Sequence, residues 1–326
     1  MDNYLTYLYL LTPLHTGGST NEGNLMGIAR EVHTEFPYMP ASSLRGRIRA
    51  AAEQKHRDEN DPLKKSVQAF FGQKISSGQL TEGEVWFADA TLLFFPIASL
   101  SHHLIWITCP LWLERWSRWL GQESKAIEQL ADTCRTKLLD LDEKKGKTAI
   151  TTFKEQPLYL QTALLKPDDM DSSINFDSLL KQIKAVLGEG HLISQLKQRL
   201  IVLSDQDCIA LVETGLQREV RVALKEGEKV VDGGSFRSEE AIPPEAVLFF
   251  PWAPKRIPPF QPKSGTKPDE IIAAKAEHEA RVENHNKVEV SLTEILSKRL
   301  QFGGLEGLGR GWTGLNTEKI EESNDN

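Results

Sequence analysis

The chain has 326 residues, of which 40% are hydrophobic, and a formal net charge of −7 at pH 7. This length allows one large domain or two ordinary ones with a real hydrophobic core. The acidic balance excludes a protein whose whole surface attracts nucleic acid, so any anion-binding site must be local.

The cysteines are too few and too far apart for a disulfide framework. There are three of them, Cys109, Cys134 and Cys208, and the sequence contains neither a CxxC pair nor an HExxH motif. The N-terminus lacks a basic signal-peptide region, and the longest apolar runs are far too short to span a membrane. We therefore expect a protein of the reducing cytoplasm, without a zinc site.

The first element is a strand followed by a polar loop. Residues 3–11 are almost all aromatic, aliphatic or β-branched, which predicts a buried central strand. The loop from His15 to Gly23 is rich in turn-forming residues. Loops that follow a strand on a rigid scaffold are a usual place for function.

A basic helix comes next. Ser42 and Ser43 are predicted to cap a helix that runs to about residue 57. Arg45 and Arg49 are four residues apart and share a face of this helix. Helix N-terminal amides favour anions, so the pattern predicts a phosphate site. The alternative is a basic face that is simply solvated.

The central part of the chain alternates between short strands and helices. Strands are predicted within 84–98, 104–109 and 200–203, and helices over 111–140, 176–188 and 191–199. Asp89 is predicted to be a structural carboxylate in a turn. Ser204 is predicted to cap a further helix.

A long hairpin and a charged helix follow. Residues 214–236 predict a β-hairpin with a charged tip, which either protrudes or folds onto the body. Residues 253–268 contain five prolines and predict an extended linker. The stretch 269–299 predicts a helix with a break near 284–290, and the final strand is predicted from residue 312.

Between that helix and the final strand lies a glycine loop, residues 302–312, in which five of the nine residues from 303 to 311 are glycine. It is not a Walker loop, since the terminal Lys-Ser/Thr is missing. Glycine permits both a tight turn and close approach of another backbone. The sequence leaves open whether this loop is a turn or a cradle for phosphates.

The order of elements predicts an α+β protein. The outer pieces fit a ferredoxin-like (RRM-like) βαββαβ body with a large insertion. Such a body can bring the first loop, the start of the first helix and the glycine loop together, which would group His15, Ser42 and Arg45.

Several motifs resemble a known family. They are Leu11–Gly17, the Arg30-Glu31 pair, Pro37–Arg49, Asp89–Leu100, Trp106–Pro110 and the glycine loop. Together they are similar to the RAMP superfamily of CRISPR-associated proteins, and in particular to the repeating backbone subunit of type III-B (Cmr) effector complexes.

The resemblance implies a palm of residues 1–110 and 241–326, a helical insertion at 111–213 and a β-hairpin thumb at 214–240. It also implies partners, namely a CRISPR guide RNA, a complementary target RNA, and neighbouring backbone and other complex subunits. The residues implied to hold guide RNA are Ser42, Ser43, Arg45, Arg49, Gly303, Gly304, Gly307, Gly309, Arg310 and Gly311. Guide binding requires no cofactor.

One departure from the family concerns cleavage. Active members carry an aspartate in the first loop that supports metal-dependent cutting of target RNA, and the matching position here is Leu25 or Met26. Apolar side chains cannot hold Mg²⁺ or Mn²⁺. Weak substitutes are His15, Glu22 and Glu31.

The sequence therefore leaves three functions open. The first is a non-cleaving scaffold, and the second is a metal-dependent target-RNA endoribonuclease with a displaced acid. The third is a guide-processing nuclease that uses His15.

Overall fold

The computed structural model describes residues 3–18, 21–22, 25–72, 81–139, 146–153, 157–187, 191–224, 227, 231–262, 265 and 267–320. The strands in these ranges are β1 (Asn3–Leu10), β2 (Asn21–Glu22), β3 (Leu25–Met26), β4 (Val85–Phe87), β5 (Thr91–Ser99), β6 (His103–Thr108), β7 (Ala149–Thr151), β8 (Leu158–Tyr159), β9 (Leu164–Leu165), β10 (Met170–Asp171), β11 (Leu200–Leu203), β12 (Gln217–Leu224), β13 (Val231–Ala241), β14 (Val247–Pro254), β15 (Arg299–Gln301) and β16 (Trp312–Ile320). The α-helices are α1 (Ala41–Lys55), α2 (Lys64–Phe71), α3 (Pro110–Ser117), α4 (Ser124–Leu138), α5 (Asp177–Leu187), α6 (His191–Arg199), α7 (Asp205–Gly215) and α8 (Pro268–Ile295).

A ten-stranded sheet organises the chain. Its order is β10-β7-β11-β6-β5-β14-β1-β16-β15, with β4 also paired to β14. The predicted first strand is confirmed as β1, which lies between β14 and β16 and is antiparallel to both. The mixed α/β character expected from the sequence is confirmed.

Helices cover both faces of the sheet. Along β1, Tyr4 and Leu8 belong to the core under α1 and α8, whereas Leu5 and Tyr7 belong to the core under α3 to α6. Successive residues of a strand point to opposite faces, so a strand buried on both sides must be apolar throughout. This explains the unbroken apolar run at the N-terminus.

The long helix α8 is continuous. The predicted break near 284–290 is wrong, because His285, Val288 and Leu292 form one buried stripe at helical spacing across it. The N-terminal half of the helix, from 268 to 280, is largely exposed, which accounts for its high content of charged residues.

The insertion is more mixed than predicted. Between residues 111 and 213 the expected helices are present, but five short strands accompany them. Three of these, β7, β10 and β11, extend the main sheet beyond β6. Strands of two to four residues are too short to show an alternating pattern, so most of these strands could not be predicted from the sequence.

The hairpin is formed by β12 and β13, and its base is tied to the first loop. β13 pairs with β3 in parallel, so β12, β13, β3 and β2 make a separate four-stranded sheet. Farther out, Val220 and Phe236 are exposed. Except for Gly227, the predicted tip lies outside the described residues. Of the helices in the described residues, none is long and apolar enough to cross a bilayer.

The two predicted serine caps have different outcomes. Ser204 caps α7, because its hydroxyl accepts a hydrogen bond from the Asp207 amide at 3.1 Å. Ser42 and Ser43 do not cap α1, which begins at Ala41 after Pro40. Instead the Ala41 amide donates to the Asp89 carboxylate at 2.6 Å. Asp89 is thus the structural carboxylate that was predicted.

This difference predicts unequal effects on stability. Ser204→Ala should lower the free energy of unfolding by about 1 kcal/mol, because an orphan helix amide loses its partner. Ser42→Ala is the matched control and should change it by less than about 0.5 kcal/mol. Urea unfolding measures both, and equal losses would contradict the assignment of the caps.

Candidate nucleic-acid interface

The glycine loop joins β15 to β16 through a sharp turn. Gly303 has φ of +80° and Gly311 has φ of +78°, in the left-handed region that favours glycine. A Cβ on Gly303 would lie 2.3 Å from the His15 carbonyl oxygen, and one on Gly311 would lie 1.7 Å from the Phe302 carbonyl oxygen. These two glycines are therefore required for contacts within the protein.

Backbone hydrogen bonds fasten the loop to the first loop. The Gly304 amide donates to the His15 carbonyl and the Gly311 amide to the Pro13 carbonyl, each at 2.8 Å. By contrast, a Cβ on Gly307 or Gly309 would meet no atom within 4 Å. The outer glycines therefore make the turn, whereas the backbone at Gly307 and Gly309 has open space beside it. The phosphate cradle stays a prediction.

Arg310 points into the protein. It is 7% exposed, and its guanidinium lies 2.6 Å from the Glu219 carboxylate and 3.8 Å from that of Glu239. The guanidinium holds the pKa of Glu219 below its ordinary value. Arg310 therefore ties the glycine loop to the base of the hairpin, and the predicted contact between its side chain and RNA has no support from its position.

The arginines of α1 have different bonding partners. Arg45 donates to the backbone carbonyls of Val85 and Phe71, each at 2.7 Å, and burial followed by the charge of Arg49 lowers its pKa. Arg49 pairs with Glu53 at 2.9 Å. In these positions Arg45 braces β4 and α2, while Arg49 is paired within its own helix.

The remaining arginine of this helix, Arg47, is the one nearest the glycine loop. Its Nε donates to the carbonyl of Gln301 at 2.7 Å, and within the described residues its two terminal nitrogens have no acceptor. The side chain of Gln301 in turn donates to the carbonyls of Glu306 and Arg310, at 3.0 and 2.8 Å, across the loop. Ser43 lies four residues before Arg47 and so shares its face of the helix.

Sequence reasoning passed over Arg47 as a site residue. The signal that could have identified Arg47 was its position four residues after Ser43, on the same face of the helix. The sequence analysis used the same spacing only for Arg45 and Arg49. The structure places Arg47 beside the glycine loop, and it engages the side chains of Arg45 and Arg310 with other parts of the protein.

A cleft of about 940 Å³ lies between the first loop, α7 and the base of the hairpin. Arg30 bonds to Glu240 at 2.9 Å and to Glu213 at 2.5 Å. Although burial lowers the pKa of Arg30, these carboxylates raise it above its ordinary value. Glu31 receives two hydrogen bonds from Arg115, at 2.7 and 2.9 Å.

The weak catalytic candidates differ in their surroundings. His15 is 5% exposed, and its Nδ1 lies 2.8 Å from the carbonyl oxygen of Glu240. The side chain of Glu22 lies outside the described residues. Leu25 and Met26 form β3 and pair with Ser238 and Glu239.

The described part of the cleft does not fit a divalent cation. Mg²⁺ and Mn²⁺ need free carboxylate or carbonyl oxygens. Of the four carboxylates that line the cleft, three (Glu31, Glu213 and Glu240) are engaged by arginines. In the part of the chain that the structure describes, no group of three His, Cys, Asp or Glu side chains could hold a metal ion.

Three comparisons bear on this arrangement. The sequence profile of the RAMP superfamily matches residues 7–313. A curated relative, the CRISPR system Cmr endoribonuclease Cmr4 of Pyrococcus furiosus, is 25% identical over 321 residues, which are 98% of this chain and 97% of the relative.

Solved structures share the fold. Oligomeric Cmr4 from Pyrococcus furiosus superposes with a TM-score of 0.59 at 21% identity, over 98% of this chain and 100% of that one. A chain of the type III-B Cmr-beta complex bound to cognate target RNA gives a TM-score of 0.62 at 19% identity, over 97% and 96% of the two chains.

The two kinds of glycine predict opposite tolerance to substitution. Gly311→Ala should lower the free energy of unfolding by about 3 kcal/mol or more, because it combines a positive φ with a backbone clash. Gly307→Ala, in the open middle of the loop, should change it by less than about 0.5 kcal/mol. Thermal or urea unfolding compares them, and a tolerated Gly311→Ala would contradict this account of the turn.

Proposed function

Because the chain belongs to the RAMP superfamily, we propose that it is a guide-RNA-binding backbone subunit of a cytoplasmic type III RNA-guided effector complex. It holds guide and target RNA and does not cut the target at its own position. Its partners are the guide, the complementary target RNA, neighbouring backbone subunits and the other subunits of the complex.

Similarity along the whole chain supports this assignment. The relative named as a Cmr endoribonuclease matches nearly end to end, and so does a chain of a complex bound to target RNA. No part of this chain long enough to form a separate domain falls outside those matches. The proposal therefore applies to the chain as a whole.

The palm of this subunit is ferredoxin-like. Strands β16, β1, β14 and β5 are adjacent in that order, every neighbouring pair is antiparallel, and α1 and α8 lie in the connections after β1 and β14. Taken in chain order these four strands have the arrangement 4-1-3-2 of a βαββαβ unit, which supports the palm. The hairpin of β12 and β13 is the thumb.

The observation that carries the proposal is the surface beside the glycine loop. Gly307 and Gly309 leave the backbone open to close approach. The Gln301 carbonyl holds Arg47 beside the loop, and two guanidinium nitrogens of Arg47 have no acceptor among the residues that the structure describes. Contacts of this kind recognise the phosphate backbone and ignore base identity. That property suits a subunit that must accept guides of any sequence.

Two features of the first loop support binding without cleavage. The expected acid is replaced by Leu25 or Met26 in β3, and Arg115 and Arg30 engage the nearby carboxylates Glu31 and Glu240. The name of the Pyrococcus furiosus relative favours a second candidate, a metal-dependent target-RNA endoribonuclease that uses Glu22. His15 is poorly placed for guide processing, because its ring is only 5% exposed and so has little access to an RNA.

Arg47→Ala tests the binding surface. It should weaken binding of a labelled single-stranded RNA. It should also make the negative slope of log Kobs against log salt shallower by about 0.7, the share of one phosphate contact. Lys181→Ala is the matched control, because Lys181 is 76% exposed on α5, across the sheet from α1. Equal affinities and slopes for the two variants would contradict the assignment of the surface.

Cleavage is tested with the assembled complex. Incubation with labelled complementary RNA and Mg²⁺ or Mn²⁺ should leave the target uncut opposite this subunit, since arginines engage three of the four described carboxylates of the cleft, Glu31, Glu213 and Glu240. Cuts at that position that disappear in Glu22→Ala would instead establish the endoribonuclease. A complex that carries no short RNA after purification at low salt would refute the scaffold itself.

A further inference from the structure

Trp312 differs from the other six tryptophans of the chain. Trp86, Trp112, Trp116, Trp119 and Trp252 each pack against another aromatic ring, and the indole of Trp106 donates to the Glu245 carbonyl at 2.9 Å. Trp312 is 42% exposed. Within the described residues its ring has neither an aromatic partner nor a hydrogen-bond acceptor.

The backbone beneath this exposed ring is firmly held. The Trp312 amide donates to the Thr12 hydroxyl at 2.9 Å, and its carbonyl accepts from the Leu11 amide at 2.8 Å. The preceding Gly311 is fixed by its bond to Pro13 and by its bond with Phe302. A large aromatic face is therefore presented from a rigid strand end, at little entropic cost to any ligand that covers it.

The ring also adjoins the proposed phosphate surface. Trp312 lies directly opposite Gln301 in the β15–β16 pairing, and directly opposite residues project to the same face of a sheet. Gln301 is the residue whose carbonyl holds Arg47. Gln301 thus connects the strand position of Trp312 to Arg47 and to the glycine loop.

We propose that Trp312 is a stacking platform for a base of the single-stranded RNA that this surface binds. The proposal rests on the proposed function and adds a base contact to it. Grooves that bind single strands combine cationic groups along the backbone with aromatic rings on which bases stack. Stacking tolerates any base, because every base has a π-face. A stacking contact would therefore not make binding depend on the sequence of the guide.

The observations favour RNA over a neighbouring protein at this ring. Arg47, bonded to the carbonyl of the opposite residue Gln301, has two guanidinium nitrogens without an acceptor in the described part of the chain, which suits a phosphate next to the stacked base. A second copy of the chain on this face is the competing outcome of the test.

The test uses the full-length protein and two fluorescein-labelled probes, an oligouridine and the same ribose-phosphate chain without bases. Trp312→Ala should weaken oligouridine binding by about five- to 100-fold and leave binding of the baseless probe unchanged. Trp312→Phe should keep most of the affinity. The salt slope should not change, because no phosphate contact is lost. Leu100→Ala, at a leucine that is 88% exposed, is the matched control and should bind as wild type.

Three results would overturn the stacking proposal. The first is that Trp312→Ala binds oligouridine as tightly as the wild type does. The second is that Trp312→Ala loses as much affinity for the baseless probe as for oligouridine. The third is that Trp312→Ala has a lower oligomer mass than the wild type in the absence of RNA, which would assign the ring to a contact with a neighbouring copy. In each of these the wild type still binds RNA, so the proposed function survives. A wild-type protein that binds neither probe would refute both proposals together.

Discussion

The contact between the first loop and the glycine loop is the constraint on which the candidate site depends. The His15 carbonyl receives the Gly304 amide, and a side chain on Gly303 would collide with the same oxygen. This contact joins segments from opposite ends of the chain, and it fixes where β16 begins. The open middle of the glycine loop and the ring of Trp312 are placed as they are because the ends of the loop cannot move.

A set of ion pairs extends that constraint to the hairpin. Arg310 reaches from the glycine loop to Glu219, and Arg30 reaches from the first loop to Glu240. Glu240 is almost fully buried, so loss of its partners would leave an uncompensated charge in the protein. The hairpin base, the first loop and the glycine loop therefore act as one unit. Arg310, which the sequence analysis assigned to RNA, is used for this internal support.

The sequence predicted the parts of the fold that have a clear period or a clear stop signal. The apolar run of β1, the cap at Ser204 and the two strands of the hairpin were all recognisable locally. The site was harder to predict, because a sequence shows that an arginine is present but not what it faces. Arg45 meets backbone carbonyls some 26 and 40 positions away, and Asp89 caps α1 from 48 positions away. Such pairings are set by tertiary structure and leave no local pattern.

The place of β1 in the sheet has a consequence for biosynthesis. Both of its neighbours, β14 and β16, come from the last 80 residues of the chain, so at a ribosome the first strand emerges long before either partner exists. At about 5–20 residues per second this delay amounts to roughly 12–50 s. During that time an apolar strand has two unpaired edges, a state prone to aggregation. Until β14 and β16 have been made, the edges of β1 in the nascent chain therefore lack the partners that protect them from aggregation in the folded protein.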